Sequence, residues 1–306
     1  MSKRKIVTIA ILGVVVISLI AAALGQNNGA KTTGAAEDSI ALIDISGMIV
    51  SGTSGGSFTG DVMTGSQTVI EQLRQAKDDP NIKGVVLRIN SPGGTPAGSL
   101  EIGNEIKRLR QSGKKVVAYM AETAASGAYW ISCETDRIVA NPTTMTGSIG
   151  VIMQTVDLQG LYDKVGVEQK VFKSGPHKDM GSEARDITPE EAAIFQGLID
   201  DSYEQFLEVV ANGRNMEMEK VRALADGRVY SGRQALKVGL VDQVGDLQQA
   251  IETTAKMVGI KGEPQVVNFG PKNFWDQLLG VKLMGLQYGP QLLPAVVAEQ
   301  LAMPKL

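Results

Sequence analysis

The chain is poor in the side chains that most often carry polar chemistry. It has one cysteine, Cys133, and one histidine, His177, in 306 residues. A lone cysteine excludes an intramolecular disulfide framework, and its place in an apolar run predicts a small core residue rather than a reactive thiol. No His/Cys cluster has the spacing of a zinc site, so neither a metal nor another cofactor is expected. With 30 Lys+Arg against 33 Asp+Glu the net charge is -3. That leaves no basic footprint, and nucleic acid is not an expected partner. Gly93-Gly94 is not followed by Gly-Lys-Ser/Thr and does not belong to a Gly-x-Gly-x-x-Gly run, which disfavours a phosphate loop. Apolar residues make up 43%, ordinary for a chain with a sizeable core and enough length for one large or two modest domains.

Charge is also missing at the N-terminus. Lys3-Arg4-Lys5 precede nineteen uncharged residues, 6–24, close to the roughly 20 needed to cross a bilayer. The basic cluster predicts a single-pass anchor with residues 1–5 in the cytoplasm and the body outside it. A cleaved signal peptide ending at Ala21-Ala22-Ala23 is the competing reading, but its apolar region would be shorter, about 7–15 residues. Either way the body is extracytoplasmic. Residues 25–38, rich in Gly, Ala, Asn and Thr, read as a flexible tether. The body spans 39–265. An apolar tail, 266–306, is expected to pack on a neighbouring subunit or the membrane.

Within the body, apolar β-branched runs at 39–45, 82–89 and 115–120 predict buried strands, and 69–76 and 99–112 have helical spacing. Alternating strand and helix argues for an α/β domain with a mostly parallel sheet. Ligands in such sheets sit off the carboxyl ends of the strands. Gly93-Gly94 and Ser126 both lie there. Ser126 falls between the strand 115–120 and a short helix 128–133, with small residues on both sides. This presents a hydroxyl as a nucleophile beside the free N–H of Gly127. Pro-Gly-Gly either makes a plain turn or lets a substrate carbonyl approach backbone N–H groups. Ser148, between glycines, is a second nucleophile candidate. Residues 169–175 predict a further strand, and Thr188-Pro189-Glu190-Glu191 a helix start, the helix running to about 212 with Ile194, Leu198, Tyr203, Phe206, Leu207 and Val210 on one face. A serine needs a base. His177 and Lys178 are both available, and spacing does not choose between them.

Four ordered motifs carry a resemblance. Ser91-Pro92-Gly93-Gly94, Ala124-Ala125-Ser126-Gly127-Ala128-Tyr129-Trp130, Thr146-Gly147-Ser148-Ile149-Gly150 and Ser174-Gly175-Pro176-His177-Lys178-Asp179, with Asp226-Gly227-Arg228 further on, resemble the short bacterial form of the signal peptide peptidase A family. The resemblance covers about 39–260. It implies a Clp-protease/crotonase-like (ββα-spiral) fold and a serine endopeptidase with a Ser-Lys dyad. Ser126 would be the nucleophile, Lys178 the general base, and Ser148 the residue that orients the lysine. Gly93 and Gly127 would form the oxyanion hole. It further implies a membrane-anchored homo-oligomeric ring that degrades remnant signal peptides and other apolar peptides. The rival readings are a crotonase-type acyl-CoA enzyme and a catalytically silent membrane scaffold.

Overall fold

The computed structural model describes residues 38–56 and 62–269. The expected basic N-terminus, the anchor 6–24, nearly all of the tether and the tail beyond 269 lie outside the described residues. Among the described residues no helix is long and apolar enough to cross a membrane.

Strands β1 (Ser39–Ser46), β5 (Ile82–Ser91) and β6 (Lys115–Ala125) form the middle of the sheet. Ile40, Ala41, Ile43, Val85, Val86, Leu87, Val116, Val117 and Ala118 have no exposed surface. Consecutive apolar residues are needed because a parallel sheet is covered on both faces. The order is β10-β7-β6-β5-β1-β11, with β7 Arg137–Ala140, β10 Gln243–Val244 and β11 Gln265–Asn268. These neighbours are all parallel. The body thus runs past residue 265, into what reads in sequence as tail. A small second sheet joins β2 (Met48–Val50), β3 (Gly55–Gly56) and β4 (Val62–Gly65).

One face is covered by α1 (Ser66–Asp78), α2 (Pro96–Gln111), α3 (Gly127–Cys133) and the C-terminal part of α5 (Pro189–Arg214), through Leu73, Ile102, Ile106, Tyr129 and Phe206. The other is covered by α8 (Leu247–Val258), whose Ala250, Ile251 and Ala255 meet Ile40, Val86 and Val117. Local chemistry sets these helix ends. Thr95 Oγ1 accepts the Gly98 N–H at 3.2 Å ahead of Pro96. Thr188 with Glu191, and Asp246 with Gln249, close capping boxes, each satisfying N–H groups that a helix start leaves unpaired. Shorter helices α4 (Gln159–Val165), α6 (Met218–Leu224) and α7 (Gly232–Val238) complete the described residues.

Strand β6 is longer than its apolar run suggests, and its far end places the site. It pairs with β7 up to Met120↔Ala140, then with β8 (Met145–Gly147) from Thr123↔Met145 to Ala125↔Gly147. The register against β5 shifts between Ile89/Met120 and Ser91/Ala124, so β6 takes extra residues across 121–123. Such a bulge bends the bulged strand. The Thr123 N–H donates to Asn90 Oδ1 at 3.1 Å, and Thr144 Oγ1 donates to the Met120 carbonyl at 2.8 Å. The short strand β9 (Val229–Ser231) runs antiparallel to β8.

Two expectations are corrected. Residues 169–175 form no strand, and every side chain from 163 to 174 is exposed. β-Branched residues favour a pleated, half-buried surface, and no neighbouring strand supplies one here. The helix from 189 onward does form, but only its C-terminal half is buried against the core. Phe206, Leu207 and Val210 are buried, whereas Leu198 is 53% exposed.

Candidate active site

Ser126 ends β6 and is the N-cap of α3, with φ 53° and ψ −124°. That backbone conformation is sparsely populated for a residue with a Cβ and costs roughly 1–3 kcal/mol, so the surroundings must over-determine it. Three of its surroundings do so. The Ser126 N–H donates to the Gly147 carbonyl at 2.8 Å, and the Ser126 carbonyl accepts from Trp130 N–H at 3.0 Å. Every residue of α3 is buried. The helix is tied down by the Tyr129 hydroxyl, which donates to the Leu240 carbonyl at 2.8 Å, and by Trp130 against Phe206, ring centroids 5.1 Å apart. A strained serine at a strand-to-helix turn is how an exposed nucleophile is presented. Its hydroxyl makes no capping hydrogen bond and is half-buried on the wall of a cavity of about 770 Å³.

Two glycines let backbones close in around it. Gly93 has φ 105°, and a Cβ there would stand 2.8 Å from the Ala125 carbonyl, the Gly127 nitrogen and Ser126 Cβ. At Gly127 a Cβ would meet Ser99 Oγ at 2.3 Å. Ser99 is buried and its hydroxyl donates to the Thr95 carbonyl. The Gly93 N–H is already given to Ser91 Oγ at 3.1 Å. The N–H groups of Gly94 and Gly127 take no acceptor among the described residues. The Gly94 nitrogen lies 3.3 Å from where a Gly127 Cβ would be, so two unengaged donors sit side by side next to Ser126.

Ser148 follows β8 directly, with φ 50° and its N–H on the Arg228 carbonyl at 2.8 Å. The β6–β8 ladder pairs Ala125 with Gly147, which sets the two serines one residue beyond paired positions. Both line the same cavity, with Trp130, Tyr203, Phe206 and Ile199 forming an apolar wall. Lys178 is not brought there. It is exposed, lines no part of that cavity, and its amine has no ion-pair partner among the described residues. His177 is not there either; its Nε2 faces Glu190 Oε1 at 3.5 Å. A lysine whose amine is shifted downward by burial does exist, but it is Lys114, whose Nζ donates to the Ala76 and Asp79 carbonyls at 2.5 and 2.6 Å. It precedes β6, at the end of the strand away from Ser126, and its role is structural. Cys133 is buried, and desolvation pushes its thiol up to about 12.

The model for peptidase family S49 matches residues 108–261, half of the chain and the stretch holding Ser126, Ser148 and Lys178. This chain belongs to peptidase family S49. A provisionally named protease of Synechocystis sp. is 44% identical over 202 residues, 66% of this chain and 73% of that protein. A provisionally named signal peptide peptidase SppA of Enterococcus faecium is 38% identical over 223 residues, 73% of this chain. Protease 4 of Haemophilus influenzae is 33% identical over 237 residues, 78% of this chain. The chain spans 64% of the length of the Enterococcus protein and 38% of the Haemophilus protein. Ser126 and Ser148, which line the cavity, both lie within the matched residues. Sequence reading missed Gly94 as a donor, Ser99 beneath Gly127, and the bulge at 121–123. Pro-Gly-Gly does not say which amide is free, and nothing in the order of residues marks Ser99 or the bulge.

Proposed function

We propose that this S49 peptidase is a serine endopeptidase in which Ser126 is the nucleophile and Lys178 the general base. Lys178 takes the Ser126 proton, and Ser126 Oγ attacks the peptide carbonyl. The oxyanion is held by the Gly127 N–H and, in place of Gly93, by the Gly94 N–H, since the Gly93 donor is committed to Ser91. Each such donor is worth about 3 kcal/mol in the transition state. The lysine then protonates the departing amine, and water hydrolyses the acyl-enzyme. Ser148 orients the amine. The observation that carries this reading is a strained serine on the cavity wall beside two unengaged N–H groups.

The distance of Lys178 from this constellation supports a homo-oligomer as the working form. No side chain from 151 to 188 is buried, and Ile152 and Phe172 are 82% and 96% exposed. An apolar segment that finds no cover among the described residues suits an interface with another copy, and Lys178 rides on that segment. In our reading it serves the Ser126 of a neighbouring protomer in a membrane-anchored ring. Residues 6–24 are the anchor and the body is extracytoplasmic. The apolar wall of the cavity and the relatives named as signal peptide peptidases support remnant signal peptides as substrates.

Peptide hydrolysis by the full chain tests this. Ser126→Ala and Lys178→Ala each lower kcat by about 10⁴-fold or more, while His177→Ala keeps most activity. Mixing the two inactive variants restores a measurable fraction of the rate if the base crosses between protomers. Activity lost in His177→Ala and retained in Lys178→Ala would reverse the choice of base.

A further inference from the structure

Lys178 is followed in the chain by a carboxylate, Asp179. An amine that must accept a proton has to spend time neutral, and a free carboxylate within about 4–6 Å favours its charged form. Asp179 is not free. Lys173 Nζ donates to its Oδ1 at 2.7 Å, and Arg185 donates to it through Nε at 3.2 Å and NH2 at 2.9 Å. The same guanidinium reaches Glu191, with NH1 donating to Oε2 at 2.9 Å and NH2 to Oε1 at 2.6 Å. It also donates to the carbonyls of Asp179 at 3.3 Å and Asp186 at 3.0 Å. Glu191 is 2% exposed and completes the capping box that starts α5. The turn between them is closed by the N–H groups of Lys178, Met180 and Ser182, donating to the carbonyls of Gly175, His177 and Asp179 at 3.2, 3.1 and 3.1 Å.

We propose that Arg185 is a positioning residue for Lys178: its guanidinium pins the turn carrying the lysine to the first turn of α5 and, with Lys173, keeps the Asp179 carboxylate from pairing with the lysine amine. The inference rests on Lys178 as the base. The four charges Lys173, Asp179, Arg185 and Glu191 cancel, so the fastening leaves no net charge beside the amine. The other charged groups around the turn are engaged elsewhere. Glu190 of α5 faces His177, Glu183 accepts from the Tyr162 hydroxyl, and the neighbouring Asp157 raises the pKa of Asp186. The hydrogen bonds from Arg185 hold the Asp179 carboxyl far below the usual carboxylate range and bring Glu191 down to about 2, so both stay ionised at working pH. The gain is placement and charge balance around one amine.

The test is kcat/KM against pH for peptide hydrolysis by the full chain. Arg185→Met leaves Asp179 held by Lys173 alone and able to swing toward the Lys178 amine, and the acid limb moves up by about one pH unit, with a roughly tenfold loss of rate below it. Removing that carboxylate as well, in Arg185→Met with Asp179→Asn, returns the limb to its original position. Arg185→Lys keeps a donor for Asp179 but loses the fork to Glu191; it lowers kcat and leaves the limb near the original. A limb unmoved in Arg185→Met, or equally displaced in the double variant, overturns the inference. The same result obtained while Lys178→Ala is inactive would leave the base assignment standing. An active Lys178→Ala would instead remove the base and this inference with it.

Discussion

Two stretches that both read in sequence as strands end in opposite environments. Residues 115–120, Lys-Val-Val-Ala-Tyr-Met, lie in the middle of the sheet, with Val116, Val117, Ala118 and Met120 fully buried. Residues 169–173, Gln-Lys-Val-Phe-Lys, lie open, with Phe172 96% exposed. The first has β5 on one side and β7 on the other; the second has no strand beside it among the described residues. Strand preference is a preference for a pleated surface to pack on, and the neighbour decides whether the preference is realised. Function is divided along the same line. The proposed nucleophile and oxyanion donors are built into the packed body. The proposed base sits on residues 151–188, where fixation comes from ion pairs and turns rather than apolar packing.

The largest effect that separates the two regions is thermal. Phe206→Ala removes a buried ring that packs on Trp130. It should cost about 3–5 kcal/mol, lowering Tm by roughly 10 °C for a body of this size, and it should also slacken α3 behind Ser126. Phe172→Ala should leave the stability of the body within about 0.5 kcal/mol of the parent and weaken self-association instead. Differential scanning calorimetry and sedimentation velocity read the two out. Equal Tm losses would show that 151–188 is as tightly packed as the sheet.

Acid should loosen the outer segment before the body. The carboxyls of Asp179 and Glu191 have their pKa lowered by hydrogen bonds from Arg185, Glu191 to about 2. For groups depressed in the folded state, the stabilisation is complete above the unfolded pKa and is lost as pH falls through the folded value. The window therefore opens below the ordinary carboxylate range of about 4 and extends past 2. Hydrogen exchange across 175–191 should speed up within that window while β5 and β6 stay protected. Faster exchange that begins near neutral pH would mean that Arg185 does not hold the segment.

Much of the body was legible because its periodic signals and its environment agree. The runs at 39–45, 82–89 and 115–120 became β1, β5 and β6, and Thr188 with Glu191 announced α5 at its N-cap and first turn. The strand-to-helix turn at Ser126 was legible because small residues sit between an apolar β-branched run and an apolar helix. What was not legible depends on partners distant in sequence. Pairing of β6 with β8 creates the bulge, Ser91 consumes the Gly93 N–H, and the lack of a neighbour leaves 169–175 open. The fastening of Lys178 was open to discovery in principle. Lys173, Asp179, Arg185 and Glu191 recur every six residues with alternating charge, but such a spacing has no meaning until turns fold the segment back on itself.

The smallest expected effect is the sharpest check on the division. Cys133 is buried in α3, directly behind the elbow, and its thiol is pushed up to about 12 by desolvation. At pH 8 it should therefore react with a thiol reagent only when the body opens, because the thiolate is the reactive form. Loss of apolar cover from 151–188 should not change how often the body opens. Labelling of Cys133 in Phe172→Ala should then proceed within about twofold of the parent rate, since surface substitutions shift stability by no more than a few tenths of a kcal/mol. In Phe206→Ala it should be faster by about two orders of magnitude or more, as 3–5 kcal/mol of lost stability requires. Acceleration in Phe172→Ala comparable to that in Phe206→Ala would show that the segment bearing Lys178 and the helix bearing Ser126 open as one cooperative unit, and the distinction between a packed nucleophile and a separately fastened base would fail.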